Sequence, residues 1–158
     1  SEYTKLNKFL AENNALLIIK IHPMQEMSTV KIHSLSNIAV LDGMSVKRLG
    51  IDSYQLMKDT DALISDYSSS AYDYMHLNRP VGFTMDDVKD YKLGLIVDDP
   101  DEFIGGQVIN NKADFLNFVD DILNNKDKYK RKREEVFDKV FKYHDGNSCE
   151  RLASFLNL

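Results

Sequence analysis

Residues 15–21, Ala-Leu-Leu-Ile-Ile-Lys-Ile, form an apolar run interrupted only by Lys20. Its length suits a strand. A strand that is apolar on both faces belongs in a parallel sheet covered by helices on each side. Similar short runs follow at 37–42, 62–65, 80–84 and 95–97, ending at Asp42, Ser65, Thr84 and Val97. Helical patterns lie between and after them. Leu6, Phe9 and Leu10 recur at helical spacing within 3–13, and residues 52–58 and 69–77 read as short helices. Residues 98–110 read as a loop punctuated by Pro100, Gly105 and Gly106. The remainder reads as three helices, at about 111–124, 126–142 and 147–157. Strands alternating with helices predict an α/β fold, a Rossmann-like parallel sheet in three layers.

In such a sheet, right-handed crossovers gather the carboxyl ends of the strands on one edge, and ligands bind off that edge. The residues just after each strand therefore carry the functional expectations. They are His22-Pro23, Asp42-Gly43, Asp66-Tyr67-Ser68-Ser69 and the loop after Thr84.

The stretch Asp61-Ala62-Leu63-Ile64-Ser65-Asp66-Tyr67-Ser68-Ser69-Ser70-Ala71-Tyr72-Asp73 is a strand, a tight turn and a helix start. Unpaired N–H groups and the positive end of the dipole make a helix start a seat for anions, phosphate above all. Ser68, Ser69 and Ser70 are candidate phosphate ligands. Serine is also a favoured N-cap, and Ser70-x-x-Asp73 resembles a capping box with Asp in place of Glu. One hydroxyl suffices for a cap, and the excess favours a ligand. Asp73 is a candidate acceptor for sugar or polyol hydroxyls, or a charge that complements the helix start. His22 is a candidate hydrogen-bond donor to phosphate oxygens, or an acid that stabilises a leaving phosphate, since imidazole titrates near neutrality; capping a loop carbonyl is the alternative.

With 158 residues the chain is long enough for one domain, 1–158, with a substantial core. The net charge of −5 speaks against nucleic acid as a partner. One cysteine, Cys149, excludes an internal disulfide and a cysteine-based zinc site, and suits a reducing cytosol. No residue spacing calls for a metal or another cofactor. No apolar run approaches the roughly 20 residues of a membrane span. The basic run Lys126, Lys128, Lys130, Arg131, Lys132 and Arg133 reads either as a solvated helix face or as a contact with an anionic membrane surface. The start Ser1-Glu2-Tyr3 has neither an initiator Met nor a signal peptide, which predicts a piece of a longer protein.

Taken in order, Lys20-Ile21-His22-Pro23, the Asp61–Ser69 block, Asp73, Arg79-Pro80 and the closing Asp145-Gly146…Arg151 resemble one family. It is the CDP-glycerol:poly(glycerophosphate) glycerophosphotransferase family of teichoic-acid primases and polymerases. The resemblance implies a GT-B architecture, of which this chain is the C-terminal nucleotide-binding half. It implies pyrophosphate binding by Ser68 and Ser69, a phosphate contact from His22, and Asp73 near the donor's hydroxyls. The catalytic base is expected in the N-terminal domain, outside this chain. The expected partners are CDP-glycerol or a related CDP-polyol and a polymer or lipid-linked acceptor. The expected setting is the cytoplasm or the inner face of the plasma membrane. The family's Tyr and Arg-Gly after the fourth strand correspond to Tyr91-Lys92-Leu93-Gly94, making Tyr91 and Lys92 candidate donor-loop residues. Lys92 brings a charge without the arginine fork. A Pro-Gly-Pro-like turn is replaced by Ile104-Gly105-Gly106-Gln107. A nucleotide-sugar-dependent GT-B enzyme and a non-catalytic α/β module are the alternatives.

Overall fold

The computed structural model describes residues 2–21, 33–85 and 99–158. His22, Tyr91, Lys92 and the strand expected at 95–97 lie outside the described residues. The chain divides into two compact units, Ser1–Asp59 and Thr60–Leu158. The single sheet expected from the sequence is resolved as two parallel sheets, one per unit.

In the first unit, α1 (Glu2–Glu12) precedes β1 (Leu17–Lys20), which pairs in parallel with β2 (Ile38–Leu41). Leu17 lies opposite Ile38 and Lys20 opposite Leu41. Leu10 buries the apolar stripe of α1. The helix stops at Asn14, whose φ of 51° is left-handed, and the Ala15 N–H returns to the Leu10 carbonyl at 2.9 Å. Asparagine tolerates this conformation, so it can stand where glycine usually ends a helix. Asn37 then ties the unit together: its N–H donates to Asn7 Oδ1 and its Nδ2 to the Ala15 carbonyl, each at 2.9 Å.

Two short helices follow, α2 (Gly43–Leu49) and α3 (Ser53–Lys58). The sequence reading anticipated α3 and missed α2. No residue of α2 is buried, so it has no apolar stripe to betray it. Asp42, expected as a ligand-edge residue, is its N-cap and accepts from the Ser45 N–H at 2.6 Å. That bond, before any other cause, holds the Asp42 carboxyl below its usual range.

In the second unit, β3 (Leu63–Ser65), β4 (Val81–Phe83) and β5 (Gln107–Val108) form a parallel sheet with β4 in the middle. α4 (Ser69–Met75) connects β3 to β4, and α5 (Lys112–Leu123), α6 (Lys130–Val140) and α7 (Ser148–Phe155) follow β5. Among the described strands β4 alone is buried at every position; the others are only partly covered, short of the two-sided burial expected. The core gathers Ala71, Tyr74 and Met75 of α4, Val81 and Phe83 of β4, Ile109, Phe118 of α5 and Val136 of α6.

β5 overturns the expectation of a loop through 98–110. Two residues are too few to give an apolar run, and a 3₁₀ turn at Pro100–Phe103 lies just upstream. Gly106 lets the chain come close enough to pair with β4: a Cβ there would stand 1.9 Å from the Val81 carbonyl oxygen. The last three helices lie where expected with trimmed ends, most of all α6, which begins at Lys130 and not near 126. No described helix is long and apolar enough to cross a membrane.

Candidate functional site

The turn between β3 and α4 is built by side chains that bond to nearby backbone. The Asp66 carboxylate accepts from the Ser68 N–H at 2.8 Å and turns the chain out of β3. Ser68, with φ −68° and ψ 145°, is the N-cap of α4. Its hydroxyl faces the Ser70 N–H at 3.5 Å and accepts from the Ser70 hydroxyl at 3.1 Å. The Ser65 hydroxyl lies 3.5 Å from that of Ser70. Three hydroxyls thus form one chain inside the turn.

Ser69 stands apart. It is exposed at the first position of α4, and among the described residues its hydroxyl finds no partner. Of the N–H groups in this first turn, that of Ser70 faces the Ser68 hydroxyl and that of Ala71 donates to the Ser68 carbonyl at 3.1 Å, which leaves the Ser69 N–H as the one this helix start offers to a ligand. The first turn of α4 holds no acidic residue to repel an anion. Asp73 lies four residues beyond Ser69, hence on the same face, and is half-buried. The expected capping box from Ser70 to Asp73 is not formed. Ser68 is the cap, which puts Ala71 at the third position and leaves Asp73 deeper in the helix.

Thr84 completes this edge of the sheet. Its N–H donates to the Ser65 carbonyl at 2.9 Å, bringing the ends of β3 and β4 together beside the serine turn. The turn therefore sits at the carboxyl edge of its sheet, as the strand–helix alternation requires. His22, Tyr91 and Lys92 fall outside the described residues, so the geometry brings together only Ser68, Ser69, Ser70 and Asp73 of the expected site.

Beneath the turn, α4 is anchored near its far end, at Tyr74. The Tyr74 hydroxyl donates to the Thr60 carbonyl at 2.8 Å, and Arg79 Nη1 reaches the same oxygen at 2.5 Å. Burial pushes the Tyr74 hydroxyl above its ordinary pKa. Arg79, part of the Arg79-Pro80 motif, thus grips the chain just before β3.

The basic run is not a row of free cations. Arg133 is 1% exposed, in the core between α4 and α6. Lys128 pairs with Asp121 at 2.6 Å, Arg131 with Glu135 at 3.0 Å and Lys126 with Asp120 at 4.0 Å. The sequence reading missed this buried guanidinium. Its spacing gives it away, since Arg133 and Val136 lie three apart on the inward stripe of α6.

The closing Asp145-Gly146…Arg151 segment is a lock on the turn into α7. Arg151 holds both oxygens of Asp145, at 2.8 and 3.0 Å, and stacks 4.1 Å from the centre of the Tyr143 ring. Gly146 takes a left-handed φ of 79° within it.

The model of the CDP-glycerol:poly(glycerophosphate) glycerophosphotransferase family matches residues 2–158. The teichoic acid ribitol-phosphate polymerase TarL of Staphylococcus aureus is 30% identical over 96% of this chain and 26% of its own length. The teichoic acid glycerol-phosphate primase of Bacillus subtilis is 31% identical over 89% of this chain and 34% of its own. The chain spans between 26% and 37% of the length of the curated relatives it matches. A structure of the wall teichoic acid polymerase TagF superposes with a TM-score of 0.67 at 21% identity, over 98% of this chain and 36% of that one. That likeness establishes the α/β fold. The family match settles the resemblance carried by the sequence motifs: this chain belongs to the CDP-glycerol:poly(glycerophosphate) glycerophosphotransferase family.

Proposed function

We propose that this chain is the donor-binding part of a transferase that moves a polyol phosphate from a CDP-activated donor to a growing cell-surface polymer. The observation that carries the proposal is Ser69: an exposed hydroxyl without a partner among the described residues, at a helix start on the carboxyl edge of a parallel sheet, in a family member. The hydroxyl and N–H of Ser69, at the start of α4, take the donor's pyrophosphate. Ser68 and Ser70 shape the seat through their own hydrogen bonds and line it. Asp73, on the same face, accepts from hydroxyls of the donor. By the family resemblance His22 is a further phosphate contact, and Tyr91 and Lys92 are donor-loop residues.

In the reaction a base of the whole enzyme removes the acceptor's hydroxyl proton. The alkoxide oxygen forms a bond to the donor's β-phosphorus. The bond from that phosphorus to the oxygen bridging the two phosphates breaks, and CMP leaves with the electron pair. Negative charge grows on the phosphate oxygens as this happens. Fixed donors that face those oxygens lower the barrier without reorganising. The chain's share of catalysis is that stabilisation, from the helix start and His22. On this reading the reaction runs in the cytoplasm.

The family description favours a CDP-glycerol donor, whereas two relatives at 30% identity are described as ribitol-phosphate polymerases, which favours CDP-ribitol. Calorimetric titration with CDP-glycerol, CDP-ribitol and a UDP-sugar tests the proposal. Binding of either CDP-polyol with no heat from the UDP-sugar is the expected result. Binding of the UDP-sugar alone would transfer the site to the glycosyltransferase class.

A further inference from the structure

Arg133 directs its guanidinium at two residues. Nη1 and Nη2 donate to the two oxygens of Asp127 at 3.1 and 2.5 Å, Nη2 also donates to the Asn78 carbonyl at 3.0 Å, and Nε donates to Asn78 Oδ1 at 3.1 Å. Asn78 follows α4 with a left-handed φ of 47°, and its Nδ2 donates in turn to Glu134 at 2.9 Å. The turn that follows α4, at its end opposite the serines, is thus tied to α6 by three directional bonds.

We infer that Arg133 is a positioning residue for the donor's phosphate seat, holding α4 so that the hydroxyl and N–H of Ser69 point where the phosphates bind. The inference rests on the reading of Ser69 given above. Apolar packing of Ala71 and Met75 keeps α4 on the core but resists tilting and sliding weakly; the Tyr74 hydroxyl adds one directional bond, to the Thr60 carbonyl, beside those of Arg133. Directional bonds fix both. From Asn78 to Ser69 the lever is roughly 13 Å, so a tilt of about 10° displaces Ser69 by about 2 Å. Displacements of that size are large for groups that must meet a charged ligand. Fold stability is a weaker reason for the arrangement, because buried ion pairs are commonly replaceable by apolar residues without loss.

The test uses the full-length protein, with Arg133→Lys, the double variant Arg133→Met with Asp127→Leu, Ser69→Ala, and Phe118→Leu as a core control on α5. Donor affinity is measured by calorimetry with CDP-glycerol and CDP-ribitol, at a temperature where circular dichroism shows every variant folded. Both Arg133 variants are expected to bind the donor about tenfold more weakly, while Phe118→Leu lowers the melting temperature and leaves affinity unchanged. The double variant removes the charge together with its partner, so it stays informative where Arg133→Lys fails to fold. Affinity unchanged in the Arg133 variants but weakened in Ser69→Ala overturns the positioning role alone. Affinity unchanged in Ser69→Ala overturns the reading of the seat, and the positioning role with it.

Discussion

Gly106 lies against Val81 so closely that a Cβ at position 106 would stand 1.9 Å from the Val81 carbonyl oxygen and 2.8 Å from its carbonyl carbon. The obstacle is the backbone of the central strand, which cannot turn aside as a side chain can. Gly106→Ala must push β5 away from β4. A loss of about 1–3 kcal/mol or more is expected, seen as a melting temperature several degrees lower. Gly43→Ala is the comparison: no described residue lies within 4 Å of a Cβ at position 43, which opens α2. That variant is expected to be neutral or to stabilise by up to about 1 kcal/mol. Equal melting temperatures for the two variants would contradict this account of β5.

Asp127 and Asp121 make a second contrast. Asp127 neutralises a guanidinium that is 1% exposed, whereas Asp121 meets Lys128, whose side chain is 63% exposed. Asp127→Ala strands a charge in the core and is expected to cost about 3 kcal/mol or more. Asp121 is itself buried, but Asp121→Asn keeps its shape and frees a lysine that water can solvate, so its cost is expected to be well below that of Asp127→Ala. Chemical denaturation of both variants gives the comparison directly. A larger loss for Asp121→Asn would reverse the order of burial argued here.

How much of this was legible in the sequence depended on whether a residue's role left a periodic trace. β4 and α5 did so, through a solid apolar run and through apolar positions at helical spacing that include the buried Phe118. β5 left none, because a two-residue strand is specified by the close approach of Gly106 and not by its own side chains. α2 left none because nothing in it is buried. Arg133 was concealed by its charge, read among neighbours that do face water, while its position on the α6 stripe pointed inward. The serine turn was legible as strand, turn and helix start. Which hydroxyl remains available was not, since that depends on Ser68 taking the cap and turning Ser70 toward it.

The Asp145–Arg151 lock gives a dependence on pH. The two-pronged bond from Arg151, and next the Asn147 N–H, hold the Asp145 carboxyl well below the usual carboxylate range. A depressed acid contributes stability that is fully present above its unfolded pKa of about 3.9, and loses it as pH falls toward the folded value. The turn into α7 should therefore hold at neutral pH and loosen only in strong acid. Asp145→Asn should loosen it at every pH and remove the acid-dependent part. Hydrogen exchange of the Arg151 amide, which donates to the Asn147 carbonyl at 3.1 Å, reports this directly. An Asp145→Asn protein with unchanged protection of that amide at neutral pH would contradict the lock.

The division of labour in the serine turn predicts that Ser68→Ala and Ser69→Ala fail in different ways. Ser68 is the N-cap and accepts from Ser70, so its loss unties the start of α4. The expected cost is about 1 kcal/mol of stability, visible as a lower melting temperature. The Ser69 hydroxyl bonds to nothing among the described residues and the residue is exposed, so its truncation should leave the melting temperature within a degree or so. If its hydroxyl donates to a phosphate oxygen, removing that bond to a charged group should cost about 1.5–3 kcal/mol of donor binding, a weakening of roughly tenfold or more. Stability and donor affinity, measured on the same two proteins, should therefore move separately. A Ser69→Ala protein that melts early and binds a CDP-polyol normally would make the turn a helix cap and nothing more.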